Sequence, residues 1–133
     1  MKTIIFDNET TGLLLPNANH VSEQPYIIEF AAIVIEDDNK KMQEVERYEC
    51  LINVPIALSA KITQITGISD DDIKDKLSFV DHYDNLCDLF LGTRAMVAHN
   101  LPFDRSMLAN ELIRLDKLIQ FPWPSVHICT VES

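Results

Sequence analysis

The sequence predicts an α/β domain in which a mixed sheet of about five strands is flanked by helices. Short β-rich apolar runs come first, and segments of helical periodicity alternate with further strands after them. A hydrophobic share of 47% in 133 residues is enough to build a core without disulfides or a structural metal. We therefore expect one domain over residues 1–133.

The first three predicted elements are strands. Residues 3–7 are β-rich and apolar on both faces, which is typical of a central strand buried from both sides. Residues 12–25 hold two prolines and two asparagines and indicate a loop. Two more strands are predicted at 26–35 and 45–54, joined into an antiparallel hairpin by the charged turn 36–41.

Helix start and stop signals recur through the rest of the chain. Ser59 is expected to cap a short helix that Gly67 closes, and the capping-box spacing of Ser and Asp begins at Ser69 and again at Ser78. The helix after Ser78 places one set of side chains on a single face: Phe79, Tyr83, Leu86, Cys87, Phe90 and Leu91. Gly92 should end it. A strand, a long helix and a strand are predicted to follow at 94–99, 102–118 and 126–131.

Composition limits the classes of function. The formal net charge of −10 argues against the broad basic surface of most nucleic-acid-binding proteins. The three cysteines have no metal-site or disulfide spacing, which favours a reducing, cytoplasmic location. Apolar runs are too short for a signal peptide or a membrane span, so we expect no membrane partner. His20, His82 and His127 are expected at the surface or in loops.

Three carboxylates are the candidates for chemistry. Asp7 and Glu9 are two residues apart on a strand, so both point to the same side. Asp104 follows a predicted strand, at the start of a helix whose dipole favours negative charge, and Asn100 is placed to cap that helix. Each alone is consistent with an idle, solvated side chain. Together they suggest an oxygen cluster that holds Mg²⁺ or Mn²⁺.

Two motifs resemble those of one enzyme family. Residues 4–13, Ile-Ile-Phe-Asp-Asn-Glu-Thr-Thr-Gly-Leu, look like the first exonuclease motif of the DEDD-type, DnaQ-like 3′-5′ exonucleases. Residues 97–104, Val-Ala-His-Asn-Leu-Pro-Phe-Asp, look like the second. Residues 27–32 resemble the family's second strand, and residues 65–68 its Ile-His-Gly-Ile element with Thr66 in place of histidine. The resemblance spans essentially the whole chain and implies the ribonuclease H-like fold.

The resemblance also implies roles for single residues. Asp7, Glu9 and Asp104 would be catalytic metal ligands in a site for two Mg²⁺ or Mn²⁺ ions. The backbone near Thr10 would receive the terminal nucleotide. Leu13 would wedge against its base, and Asn100 and Phe103 would line its pocket. For Leu13 and Phe103, ordinary core packing is the alternative.

The family's third motif, a His or Tyr followed by an Asp on a C-terminal helix, is not found. His127 and Glu132 have a similar spacing, but an odd offset on a strand places two side chains on opposite faces. We therefore expect a domain truncated at its C-terminal end, with those helices missing.

The resemblance implies a metal-dependent 3′-5′ exonuclease that hydrolyses the terminal phosphodiester of single-stranded DNA or RNA, in proofreading or repair. A DNA polymerase is a candidate partner. The alternative is a module that binds nucleic acid or a polymerase and retains the fold without cutting. A purely structural acidic domain is a third class.

Overall fold

The computed structural model describes residues 1–130, and within them the strands form one mixed sheet in the order β3-β2-β1-β4-β5. The strands are β1 (Lys2–Thr10), β2 (Ile27–Asp38), β3 (Lys41–Leu51), β4 (Ala95–Ala98) and β5 (Val126–Cys129). The β1–β2 and β2–β3 pairs are antiparallel, whereas β1–β4 and β4–β5 are parallel. This arrangement confirms the predicted fold class.

The helices are α1 (Ala60–Thr66), α2 (Asp70–Ile73), α3 (Phe79–Phe90) and α4 (Leu101–Arg114), and a 3-10 turn spans Val21–Glu23. The predicted caps are present. Ser59 accepts from the Ile62 N–H at 3.2 Å, and Gly67 closes α1 in the left-handed region at φ 78°. Capping boxes begin α2 at Ser69 and α3 at Ser78. Between residues 1 and 130, no helix combines the length and the apolar character needed to cross a membrane.

Strand β1 is central, as predicted, but its two faces differ. Ile4 and Phe6 are buried under the helices, whereas on the opposite face Ile5 is half-buried and Asp7 is exposed. The prediction of a strand buried from both sides was therefore wrong for the described residues. An apolar side chain is suited to burial, but it is buried only where another element packs over it.

The boundaries of several other elements differ from the predictions. Strands β2 and β3 continue through most of the charged segment 36–41, leaving a turn at Asn39 and Lys40. Charged side chains at a sheet edge face solvent without breaking the ladder. Helix α4 ends at Arg114, before the predicted residue 118, because Asp116 adopts the left-handed region at φ 58°. Leu91 lies beyond the end of α3 and is exposed.

The main core lies between one face of the sheet and helices α3 and α4. Its aromatic centre joins the sheet to α3, with Phe6 on β1, Phe30 on β2 and Phe90 on α3. Helix α4 adds Met107 and Leu108, both fully buried. This packing fixes α4, and therefore the residues of its first turn, against the end of β1.

One histidine is not where the sequence suggested. His20 and His127 are exposed, as predicted, but His82 is buried on α3. Its Nδ1 lies 2.6 Å from the Tyr48 hydroxyl, which also accepts from Asn85 at 3.2 Å. The prediction for His82 was wrong because α3 packs this side chain against β3, where the Tyr48 hydroxyl gives the buried ring a polar partner.

Candidate functional site

Two carboxylates lie near the C-terminal end of β1. Asp7 and Glu9 share the face of the sheet opposite the helices, with Asp7 exposed and Glu9 half-buried. They lie within the strand rather than after it, since β1 continues to Thr10. The antiparallel register places Glu9 directly opposite Glu29 of β2. Like charges at such a position repel one another, so this edge of the sheet is strongly negative.

Asp104 reaches the same strand end from the first turn of α4. It is only 3% exposed. The Asn8 backbone N–H donates to Asp104 Oδ1 at 3.3 Å, and Asn8 Nδ2 donates to the Asp104 carbonyl at 3.1 Å. Because side chains alternate along a strand, Asn8 faces the helices while Asp7 and Glu9 face away. Asn8 thus joins the second motif to the middle of the first.

The negative charges of the three carboxylates influence the pKa values within the group. Burial, together with the negative charges of Asp7 and Glu9, raises the pKa of Asp104 to about 6, although hydrogen bonds from the Asn8 and Asn100 backbone oppose the change. Burial and the Asp7 charge also raise the pKa of Glu9, and burial with the charges of Glu49 and Asp7 raises that of Glu29. A cation bound here would relieve this repulsion.

The donor set suits a hard divalent cation. Carboxylate oxygens are the ligands that Mg²⁺ and Mn²⁺ prefer, and the buried Asn8 Oδ1 has no hydrogen-bond partner among the described residues. Within residues 1–130, however, no three His, Cys, Asp or Glu side chains are already gathered in a metal-binding arrangement. Asp7, Glu9 and Asp104 are close enough for their charges to interact.

A cavity of about 630 Å³ begins beside Glu9, which is part of its lining. Three of the predicted substrate contacts line it, namely Thr10, Leu13 and Phe103. Leu13 is 78% exposed and is not a core residue, whereas Phe103 both packs on the core and faces the cavity. Asn100 is not part of the lining, and although it occupies the N-cap position of α4, its side chain makes no capping hydrogen bond.

Helix α1 forms another wall of this cavity. It contributes Lys61, Ile62, Ile65 and Thr66, preceded by Ser59. The Thr66 hydroxyl donates to the Ile62 carbonyl at 2.8 Å and accepts from the Ile68 N–H at 3.1 Å. Thr66 therefore closes the helix, and its hydroxyl is occupied by backbone groups where the family's histidine would stand.

A second concavity of about 570 Å³ lies on the face of the sheet that carries Asp7, opposite the helices. It is lined by the half-buried Ile5, by Asp7, and by the neighbouring residues His99, Arg47 and Glu49. His127, the histidine considered for the third motif, is exposed, and its Nε2 lies 3.0 Å from the Pro124 carbonyl. Glu132 lies outside the described residues.

Sequence reasoning missed two residues of the site. Glu29 was noticed only as part of a strand, although the antiparallel β1–β2 register that places it opposite Glu9 is the signal that could have found it. Lys61 is the basic residue in the lining of the cavity beside the carboxylates. Its place beside the cavity depends on how α1 packs against the loop after β1, which the sequence alone does not give.

Comparison with known proteins agrees with this geometry. A family model described as an exonuclease matches residues 4–133. The chain is 31% identical over 117 residues to the PolC-type DNA polymerase III of Caldanaerobacter subterraneus, covering 88% of this chain and 8% of that protein. It is 32% identical over 117 residues to the DNA polymerase III subunit epsilon of Rickettsia typhi, covering 88% of this chain and 47% of that protein. The chain thus spans less than half the length of either relative.

A solved structure shows the same fold. The nuclease domain of 3′hExo, a DEDDh family member bound to rAMP, superposes with a TM-score of 0.63 at 17% identity, covering 88% of this chain and 60% of that one. The ribonuclease H-like sheet order, the two motifs at its centre and the family match lead to one assignment. The chain belongs to the DEDD-type 3′-5′ exonuclease family.

Proposed function

We propose that this chain is a metal-dependent 3′-5′ exonuclease domain that hydrolyses the terminal phosphodiester of single-stranded DNA or RNA. The observation that carries the proposal is the meeting of Asp7 and Glu9 on β1 with the buried Asp104 on α4, beside an open cavity. Burying Asp104 next to two like charges is costly, and a catalytic cation offsets that cost.

Each part of the site has a role in this proposal. Asp7, Glu9 and Asp104 would hold the ions, and Asn8 keeps Asp104 at the strand end through its two hydrogen bonds. When bound, two Mg²⁺ or Mn²⁺ ions supply an activated water and stabilise the leaving oxygen. The Thr10 hydroxyl donates to the Gly12 carbonyl at 2.7 Å and so shapes the turn that meets the terminal nucleotide.

The cavity supports recognition of a chain end rather than a long duplex. Leu13 and Phe103 offer apolar surface to a base, and Lys61 offers one positive charge to a phosphate. The relatives with DNA polymerase names favour DNA as the substrate and a polymerase as the partner, in a proofreading role. The localisation proposed for such a domain is the cytoplasm.

A second candidate function is a module that binds a nucleic-acid end without cutting. The observation that favours it is that three carboxylates are not already gathered around one ion position within residues 1–130. In this case Asp7 and Asp104 would bind metal weakly and the cavity would still accept a nucleotide.

The test uses a single strand labelled on its 3′-terminal nucleotide, with Mn²⁺. Wild type should release the label, and Asp7→Asn and Asp104→Asn should lower the rate by at least about 100-fold, since even groups that only support a metal ligand contribute 10–100-fold. Asp88→Asn, an exposed carboxylate on α3, is the matched control and should cut normally. Equal label release by all four proteins would refute the site. Metal and nucleotide binding without cleavage would select the binding module.

A further inference from the structure

The loop after β1 forms one wall of the cavity, and hydrogen bonds join it at two places to the returning segment, which leads into β2. Thr11 N–H donates to the Tyr26 carbonyl, and Tyr26 N–H donates to Thr11 Oγ1, both at 2.9 Å. Further out, the Gln24 side chain binds both backbone groups of Leu15: Oε1 accepts from the Leu15 N–H at 2.9 Å, and Nε2 donates to the Leu15 carbonyl at 2.8 Å. The backbone between these two places carries Leu13.

The returning segment is in turn fastened to α4 by one buried pair. Arg114 Nη2 donates to the carbonyls of Val21, Gln24 and Pro25, at 2.9, 2.6 and 3.1 Å. Its guanidinium lies 3.9 Å from the centre of the Tyr26 ring.

Glu111 completes this attachment from the next turn of the helix. Its Oε1 lies 3.2 Å from Arg114 Nη1, and its Oε2 accepts from the Ile27 N–H at 2.8 Å. Both side chains are largely buried. Segment 21–27 therefore has its position set by two residues near the C-terminal end of α4.

The same helix carries the opposite wall of the cavity. Phe103 and Asp104 lie in the first turn of α4, so the loop and the carboxylate are both held by one rigid element. Leu13 and Leu15 are 78% and 49% exposed, so burial of their own side chains does little to fix them. Leu14, between them, packs on the core, and the backbone contacts on either side of it help to set the width of the cavity.

We propose that Arg114 and Gln24 are positioning residues that hold the Leu13–Leu15 wall at the distance from Phe103 that a terminal nucleoside requires. The inference rests on the proposed function, because it assigns the cavity to a nucleotide. A wall ordered before binding lowers the entropy lost on binding, so loosening it weakens affinity without altering the carboxylates. Lysine cannot replace Arg114, because a single ammonium cannot stack on Tyr26 and also reach three carbonyls.

The experiment measures the Kd of thymidine 5′-monophosphate in Mn²⁺ for wild type, Gln24→Ala and Arg114→Lys. Controls are Gln43→Ala and Arg94→Lys, exposed residues of the same types outside the network. Both test variants should raise Kd by about tenfold, and amide exchange at Leu13–Leu15 should accelerate. Gln24 is half-buried in a surface loop, and Gln24→Ala should keep the wild-type unfolding midpoint, which distinguishes positioning from a general loss of structure. On a labelled strand, KM should rise and kcat should stay within twofold.

Three results would overturn the inference. Wild-type Kd in both variants while wild type binds the nucleotide would remove the positioning role and leave the proposed function intact. A weaker Kd for Gln24→Ala accompanied by an equal weakening in Gln43→Ala would show a nonspecific effect. Failure of wild type itself to bind the nucleotide would refute the proposed function and the inference that rests on it.

Discussion

Asp104 is the residue at which stability and the proposed function oppose each other. Burial and the charges of Asp7 and Glu9 raise its pKa from 3.8 to about 6, so at neutral pH the folded protein holds an unfavourable charge. We expect Asp104→Asn to raise the free energy of unfolding of the metal-free protein by about 1–3 kcal/mol at pH 7. Denaturant unfolding in a chelating buffer measures it.

The pH dependence provides the control for this prediction. Because the folded pKa lies above the unfolded one, the penalty is complete above about pH 6 and disappears as pH falls towards 3.8. The stability difference between Asp104→Asn and wild type should therefore shrink between pH 7 and pH 4. A difference that stays constant over this range would show that charge is not its cause.

His82 should make the protein sensitive to mild acid. Burial lowers its pKa below 6.5, so the unfolded chain takes up a proton more readily than the folded one. Stability from the neutral ring is present above pH 6.5 and is lost as pH falls through the lowered value. Unfolding measured at pH 7.5 and 5.5 should show a smaller loss for His82→Gln than for wild type, whereas the exposed His127→Gln should match wild type.

The sequence predicted which three carboxylates lie near one another better than it predicted their surroundings. Asp7, Glu9 and Asp104 were expected close together because strand alternation and the start of a helix limit where side chains can point. Glu29 was missed because its position depends on the β1–β2 register, and His82 because a distant tyrosine makes its burial possible. Both depend on contacts between residues far apart in the chain.

At the scale of elements, Gly67 is a position that only glycine occupies without strain. It closes α1 at φ 78°, and a Cβ there would meet nothing within 4 Å, so backbone strain alone opposes a side chain. Gly67→Ala should lower the free energy of unfolding by about 1 kcal/mol. Gly12→Ala is the control, because its Cβ would lie an ordinary 3.8 Å from Pro25 Cγ. Equal losses in the two variants would contradict this explanation.

Element types were predicted more reliably than element ends. The capped helices begin where Ser59, Ser69 and Ser78 indicate, since a cap satisfies local backbone donors. The antiparallel β2–β3 hairpin was predicted correctly, but the ends of its strands and the end of α4 were misjudged. In these cases pairing across the sheet and a left-handed Asp116 override the composition of the segment.

For the whole molecule, the net charge of −10 and the cavity together set the expected salt dependence. Lys61 is the basic residue in the cavity lining, so about one phosphate is neutralised there. Binding of a short single strand in Mn²⁺ should therefore give a slope of log K against log salt concentration of less than about 1 in magnitude. Lys61→Met should flatten it and Lys40→Met, in the exposed hairpin turn, should not. A steep slope in wild type would require a basic surface elsewhere.

The overall architecture could be predicted because pattern and motif agree along the whole chain. Whether the sheet face that carries Asp7 is covered could not be predicted, since the same apolar residues, Ile5 and Ile33, would be suitable under a covering layer or beside an open concavity. Sequence periodicity gives the direction of a side chain, whereas its burial depends on what packs against it.

The bidentate contact between Gln24 and Leu15 also separates the wall-forming part of the loop from its tip. Residues 16–20 project beyond this contact and are mostly exposed, so their length and chemistry are free to vary while the base of the loop stays closed. A fluorophore attached at Asn17, or a short peptide inserted after it, should therefore leave nucleotide affinity unchanged. The tip is therefore a suitable attachment point for a fluorophore that reports nucleotide binding in the cavity.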